Sequence, residues 1–336
     1  MRTLRGIVVL LLVLLAATAG RAEDFRTVMD ARGRMVKVHL PVQRIVVLNE
    51  NVLEVLRILG AQDLVVGVSD YIAKRKQFWR ELAHRPAAGR WQEPNYEVIA
   101  SLRPDLLLCY EHSPGLDAEK KLEAFGIQVL RLNCYKLPTL TKEVRVLAAL
   151  FGRDEKARSF IEWHGEILSH IERLTRDVQK PPKVYLEGYS EYKTWGPGSG
   201  VNDMCSAAGG ENVASKLSIS YPVVTPEWVV SQNPDIIIKT PSLPNAYSRD
   251  ELHVLQTLRQ KIMNRVGWEN IRAVRQGKVY IIAADVCSGP GEVSGIAYMA
   301  KWFFPNACQD LDPEQLYREY LERFQGIPYR GHHVYP

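Results

Sequence analysis

Short, wholly apolar runs recur along this chain, each followed by a helical pattern, and that alternation limits the fold more than any other feature. Arg44-Ile45-Val46-Val47-Leu48 lacks the apolar–polar alternation of a half-exposed strand and reads as a strand buried on both faces. Asn51, with Glu54 three residues on, opens a helix whose apolar face is Val52, Leu53, Val55, Leu56 and Leu59, and Gly60 stops it. Strands follow at 64–68, 105–108 and 127–132, with helical stretches at 95–102 and 115–125 between them. Strands alternating with helices imply a parallel sheet covered on both faces, with right-handed crossovers. Residues 26–38 differ, since apolar positions alternate around Asp30-Ala31-Arg32-Gly33 as in a hairpin with a tight turn.

A long helical stretch, 142–177, then interrupts the pattern, broken only around Gly152-Arg153-Asp154 and closed by Pro181-Pro182. Beyond it the alternation restarts: a strand at 184–187, helices at 201–208 and 226–232, a strand at 236–239, a helix at 252–266, a strand at 279–283 and a last helix at 313–324. A chain of 336 residues is long for one core and sufficient for two. The expected division is a leader at 1–22, an N-terminal lobe at 23–141, a linking helix at 142–180, a C-terminal lobe at 181–310, and a C-terminal helix and tail at 311–336.

The leader has a positive start at Arg2 and Arg5, an apolar run from Ile7 to Ala17, and small residues up to Ala22. That run is the length of a secretion signal and short for a membrane span. The expectation is a soluble exported protein, periplasmic in a bacterium. The first cysteine is Cys109, so none lies near the cut to carry a lipid. The 43 basic residues include three in the leader, which holds no acid, leaving 40 bases against 38 acids and no field to attract nucleic acid. Of the five cysteines (Cys109, Cys134, Cys205, Cys287, Cys308) none forms a CxxC pair. Cys109 and Cys134 end neighbouring strands, and Cys205 and Cys287 fall at comparable ends in the second lobe. The expectation is that at least one pair is oxidised; the alternative is small buried hydrophobes.

One unit occurs twice. Pro94-Asn95-Tyr96-Glu97 opens a short helix that leads through Arg103-Pro104-Asp105 into a buried strand. Thr225-Pro226-Glu227-Trp228 opens another that leads through Asn233-Pro234-Asp235 into the next. Each lobe thus carries a glutamate in the first turn of an exposed helix.

Through these residues the chain resembles the periplasmic binding proteins for iron–siderophore complexes and vitamin B12. The likeness runs in order through 43–48, 59–68, 94–97 with 103–105, Ala208-Gly209-Gly210-Glu211-Asn212-Val213, and 226–227 with 233–235. It implies an α/β fold of two Rossmann-like lobes, each with a central mostly parallel sheet, joined by one long linking helix. It implies a solute carrier for an ABC importer, acting by binding and not catalysis, with no intrinsic cofactor; nothing in the sequence demands more than a monomer. It also implies that Glu97 and Glu227 dock on arginines of the membrane permease, giving a two-point electrostatic key.

Open parallel sheets bind ligands beyond the carboxyl ends of their strands. In the first lobe this rule selects Asn49, Tyr71, Glu111 with His112, and Tyr135; in the second it selects Tyr189, Tyr192, Trp195, Pro241-Ser242 and residues 285–288, including Ser288. The resemblance adds Arg90 and Trp91 at the cleft mouth. Tyr and Trp dominate, which suits a flat chelate or macrocycle, and Arg90 and Lys193 could hold its acidic groups. The expected ligand is a ferric siderophore or similar iron complex, with cobalamin or another corrinoid, or heme, as the alternative. Of eight histidines only His112 sits at a strand end, so a bare-metal site is not expected. Gly196-Pro197-Gly198-Ser199-Gly200 lacks the lysine of a P-loop and reads as a turn at the cleft edge. No GxSxG or HExxH motif supports an exported α/β enzyme. Trp79 and Trp163 are expected in the core.

Overall fold

The computed structural model describes residues 24–176, 180–243, 247 and 252–336. The expected leader lies outside the described residues. Phe25–Met29 (β1) and Met35–His39 (β2) pair as an antiparallel hairpin, from Phe25 opposite His39 to Met29 opposite Met35. Asp30 shapes the turn by accepting from the backbone N–H groups of Arg32 and Arg34, each at 2.9 Å.

In the first lobe, Ile45–Val47 (β3), Val65–Val68 (β4), Leu106–Cys109 (β5) and Gln128–Arg131 (β6) form a parallel sheet in the order β4-β3-β5-β6. In the second, Lys183–Glu187 (β7), Glu211–Asn212 (β8), Ile236–Lys239 (β9) and Val279–Ile282 (β10) are parallel in the order β10-β9-β7-β8, and Val334–Tyr335 (β11) adds an antiparallel edge to β10. Both lobes therefore share one winding, with the second strand on one side of the first and the third and fourth on the other. The crossover direction reverses between β3 and β5 and again between β7 and β9. Each reversal opens a crevice beyond the strands' carboxyl ends.

The strands are wholly apolar because both faces are covered. Ile45, Val47, Leu106 and Leu108 pack in one apolar cluster, whereas Val46, Leu48, Leu107 and Cys109 pack in another. The period of two that separates them also separates Cys109 from Cys134, which belongs to the first cluster. All five cysteines are free and buried, which corrects the expectation of an oxidised pair.

The duplicated unit has one structural job in both lobes. The Asp105 carboxylate accepts from the backbone N–H groups of Gln43 and Arg44, just before β3, at 2.7 and 2.8 Å. The Asp235 carboxylate accepts from the N–H of Lys183, at the start of β7, at 2.9 Å. In each lobe the Pro-Asp step thereby fixes where the third strand enters beside the first.

The linking stretch is two helices, Leu137–Phe151 and Asp154–Thr175, separated at Gly152, whose φ is 64°. The first begins at 137 rather than 142, with Pro138 in its opening turn, where no N–H is needed. The second spans 22 residues, roughly 33 Å. It packs on the first-lobe helix Glu50–Leu59 and on the second-lobe helix Glu292–Phe303, and is the strut. Trp163, on its buried face, stacks on Tyr320 and tilts against Phe324. Trp79 and Trp163 are core residues, as expected.

The expected terminal helix divides into Pro313–Glu319 and a π-helical turn, Tyr320–Phe324. The C-terminal tail is tied to both lobes. Buried Gln325 donates to the Glu54 carbonyl at 3.3 Å and to the Tyr320 hydroxyl at 3.1 Å, and the last residues close the second sheet.

Candidate functional site

The two crevices face each other across a cleft of about 520 Å³ lined by both lobes. Tyr110 and Glu111 leave β5 directly, Gly188 and Tyr189 leave β7, and Thr240 leaves β9; all five line the cleft.

The first-lobe wall is a chain of rings. Trp91 meets Tyr110 edge-on at 5.2 Å, and Tyr110 meets Tyr135 at 6.4 Å. Glu111 closes one end, accepting from Asn133 Nδ2 at 2.9 Å and Lys136 Nζ at 2.8 Å, with His112 Nε2 at 3.3 Å. Burial works to raise its pKa, but the bonds from Lys136 and Asn133 outweigh burial and hold the carboxyl below its usual range. Glu111 is therefore a paired carboxylate.

The second-lobe wall repeats the arrangement. Tyr189 meets Trp195 at 5.5 Å, and Trp195 meets Tyr221 at 5.6 Å. Trp195 is fixed by its Nε1, which donates to Thr240 Oγ1 at 2.9 Å. Beneath it the buried Glu187 carboxylate accepts from Arg265 at 2.7 and 2.9 Å and from the Tyr192 backbone N–H at 3.1 Å, and Lys239 lies at 3.1 Å. That network shapes the 188–195 turn and keeps its charge out of the cleft. Gly200 allows the lobes to approach, because a Cβ there would stand 3.0 Å from the Tyr135 carbonyl oxygen. This is the cleft-edge role expected of the glycine-rich run.

Of the expected ligand-facing residues, Trp91, Glu111, Tyr135, Tyr189, Trp195 and Ser288 line the cleft, as does Lys193. Asn49, Tyr71 and Arg90 do not. Asn49 is buried and caps the helix Glu50–Leu59, accepting from the Asn51 N–H at 2.9 Å and donating to the Leu132 carbonyl at 2.7 Å. The cap is thus two residues earlier than the sequence indicated, and Asn51 takes the place in the cleft lining. Tyr71 is exposed beside Arg75, and Arg90 is exposed and pairs with Glu93 at 3.3 Å. Tyr192 turns inward against Trp268 and Arg265. Asp285 is held by Arg75.

Tyr110 and Tyr221 were missed. Tyr110 could have been found, since it immediately follows β5. Tyr221 lies in a loop without periodicity, placed by backbone bonds from Gly196 to Ser220 at 2.8 Å and from Thr194 to Pro222 at 2.9 Å. No signal in the sequence marks it.

Among the described residues, no three His, Cys, Asp or Glu side chains are grouped to hold a metal ion, and no helix is long and apolar enough to cross a membrane. Glu97 and Glu227 are exposed in the first turns of the helices Tyr96–Ser101 and Pro226–Gln232, behind the caps Asn95 and Thr225.

Two lobes of one winding, a strut between them and an aromatic cleft where their strands end define a two-lobed solute-binding protein. The chain belongs to the periplasmic binding protein family, which matches residues 45–286. It is 25% identical over 293 residues to the uncharacterized ABC transporter substrate-binding lipoprotein YvrC of Bacillus subtilis, covering 84% of this chain and 87% of that one. It is 24% identical over 353 residues to the molybdate-binding protein MolA of Haemophilus influenzae, covering 96% and 97%. The crystal structure of the TroA-like periplasmic binding protein FepB from Veillonella parvula superposes with a TM-score of 0.77 at 21% identity, covering 92% of this chain and 99% of that one. The expected family and fold both hold: this is a solute-binding protein of the ABC-importer type.

Proposed function

We propose that the cleft captures a metal chelate of low net charge, a ferric siderophore or similar iron complex, and that the protein presents it to the importer's permease. The observation that carries this reading is the pair of facing aromatic walls, Trp91–Tyr110–Tyr135 and Tyr189–Trp195–Tyr221, with Lys193 as the one cation of the lining without an acidic partner among the described residues. Flat rings give large contact at small entropic cost. A lining with so little charge has nothing to pair with a highly anionic ligand, and an unpaired buried charge is costly. The chelator supplies the donors to the metal, which fits a cleft without a cluster of protein ligands. A corrinoid is the second reading, favoured by the same lack of charge and the same flat walls.

Glu97 and Glu227 supply the docking carboxylates, one per lobe, on helix starts that leave the side chains free to meet arginines. The leader at 1–22 exports the chain, which acts as a soluble monomer, and the process is capture without turnover.

Trp91 and Trp195 make the cleft its own reporter. Titration of tryptophan fluorescence with a neutral ferric hydroxamate, a trianionic ferric catecholate, cobalamin, heme and molybdate tests the reading. It expects saturable quenching by the hydroxamate or cobalamin, lost in Trp195→Ala. Quenching by molybdate alone, or by none of the five, contradicts it.

A further inference from the structure

We propose that a second, basic groove, at the far end of the helix Glu50–Leu59 from the cleft, binds a multivalent phosphate anion. The groove encloses about 650 Å³ and is lined by Arg57, Arg80, Lys156, Arg323 and Arg330, with Glu81 as its acidic residue. It shares no lining residue with the cleft. Asn51, in the helix's first turn, faces the cleft, and Arg57, in its last, faces the groove.

The five cations come from separate parts of the chain: the first lobe, the strut and the C-terminal segment. Two are neutralised, Arg57 by Glu81 at 2.6 Å and Arg323 by Glu319 at 2.7 Å. Arg80, Lys156 and Arg330 have no acidic partner among the described residues. This is segregation and not general surplus, because beyond the leader 40 bases face 38 acids. Like charges gathered on one wall repel one another, and a concave wall focuses their field. Lys156 has a partial local reason, since its Nζ lies over Gly60 at the C-terminus of the helix Glu50–Leu59, where a cation is favoured. Arg80 and Arg330 have no such reason.

Guanidinium forks match phosphate oxygens two at a time, and a compact concavity suits a small polyanion better than a long nucleic acid. The anion is either a free oligophosphate or the phosphate of a lipid headgroup. In either form it ties the C-terminal tail to the first lobe and the strut, and so raises the unfolding temperature.

The test uses the whole mature chain and its R80S/R330S variant; both positions are exposed, and neither side chain makes a hydrogen bond or ion pair among the described residues. Calorimetric titration with tripolyphosphate at low salt expects saturable binding, weakened about tenfold in the variant by loss of two charge-assisted contacts, while cleft quenching is unchanged. Co-sedimentation with phosphatidylglycerol vesicles, against phosphatidylcholine controls, separates the sources: vesicle binding that is lost in the variant, without tripolyphosphate binding, assigns the site to headgroups. Binding of neither overturns the proposal. So does binding undiminished in the variant. Should R80S/R330S unfold, K156Q replaces it, with a smaller loss expected.

Discussion

Arg75 of the first lobe and Asp285 of the second meet at 2.5 Å beside the cleft, and the other terminal nitrogen of Arg75 holds Glu50 at 2.5 Å. Glu50 also accepts from Trp79 Nε1 at 2.7 Å, and the Phe78 ring lies 4.9 Å from the guanidinium. One cation therefore fastens carboxylates from both lobes next to the cleft-lining residues Asn51 and Ala284. With the strut, this pairing ties the two lobes together beside the cleft.

The two ends of that bridge differ in cost. Arg75→Met leaves Glu50 and Asp285 without their cation and is expected to lower the unfolding free energy by about 3–5 kcal/mol. Asp285→Asn leaves Arg75 paired with Glu50 and is expected to cost distinctly less. Urea denaturation measures both; equal losses would contradict the ranking.

Glu54 gives stability a pH dependence of known sign. It is buried, the Tyr320 hydroxyl donates to it, and burial first, then the charge of Glu50, push its pKa up to about 8 from an ordinary 4.5. Between those values the folded state holds a proton that the unfolded state has lost, so stability falls as pH rises through that window. Below about 4.5 both states are protonated and the penalty is absent. Glu50 is raised by burial as well and adds the same sign. Denaturation at pH 5, 6.5 and 8 is expected to show the decline, shallower in Glu54→Gln. An unchanged slope in that variant would refute the assignment.

The cysteines make a counting test. Thiol titration of unreduced protein in denaturant is expected to give five. The folded protein should give almost none, since all five are buried and burial pushes the Cys109 thiol up to about 12. A denatured count of three would mean that a pair is oxidised.

Glu97→Lys with Glu227→Lys is expected to leave ligand affinity within about twofold, because both side chains are exposed in helix starts away from the cleft lining. Uptake by cells or reconstituted importer is expected to fall to background. Normal uptake by the double variant would remove the docking role.

The frame was legible because parallel strands buried on both faces are short apolar runs without alternation, bounded by turn residues, as at 45–48, 105–108 and 236–239. The duplicated Pro-Asp unit was legible too, but its structural reason, Asp105 and Asp235 reaching the backbone before or at the first strand of each lobe, was not. Local rules failed where tertiary contacts decided. Asn51 and Glu54 have the spacing of a capping pair, yet Asn49 caps the helix while Glu54 is buried against Tyr320. The rule that ligands lie beyond strand ends found two of the three rings of the second-lobe wall, Tyr189 and Trp195, but only Tyr135 of the first, where Trp91 came from the resemblance. It overreached at Asn49, whose side chain is engaged with backbone on both sides, and it could not reach Tyr221, which no strand carries.

Native mass spectrometry of the protein purified from the cells that make it, beside its Tyr135→Ala/Trp195→Ala variant, tests the central claim most directly. The expected result is a one-to-one complex with a small metal-bearing molecule in the unaltered protein and its loss in the variant. An adduct without metal, or one kept undiminished by the variant, would contradict capture between the aromatic walls.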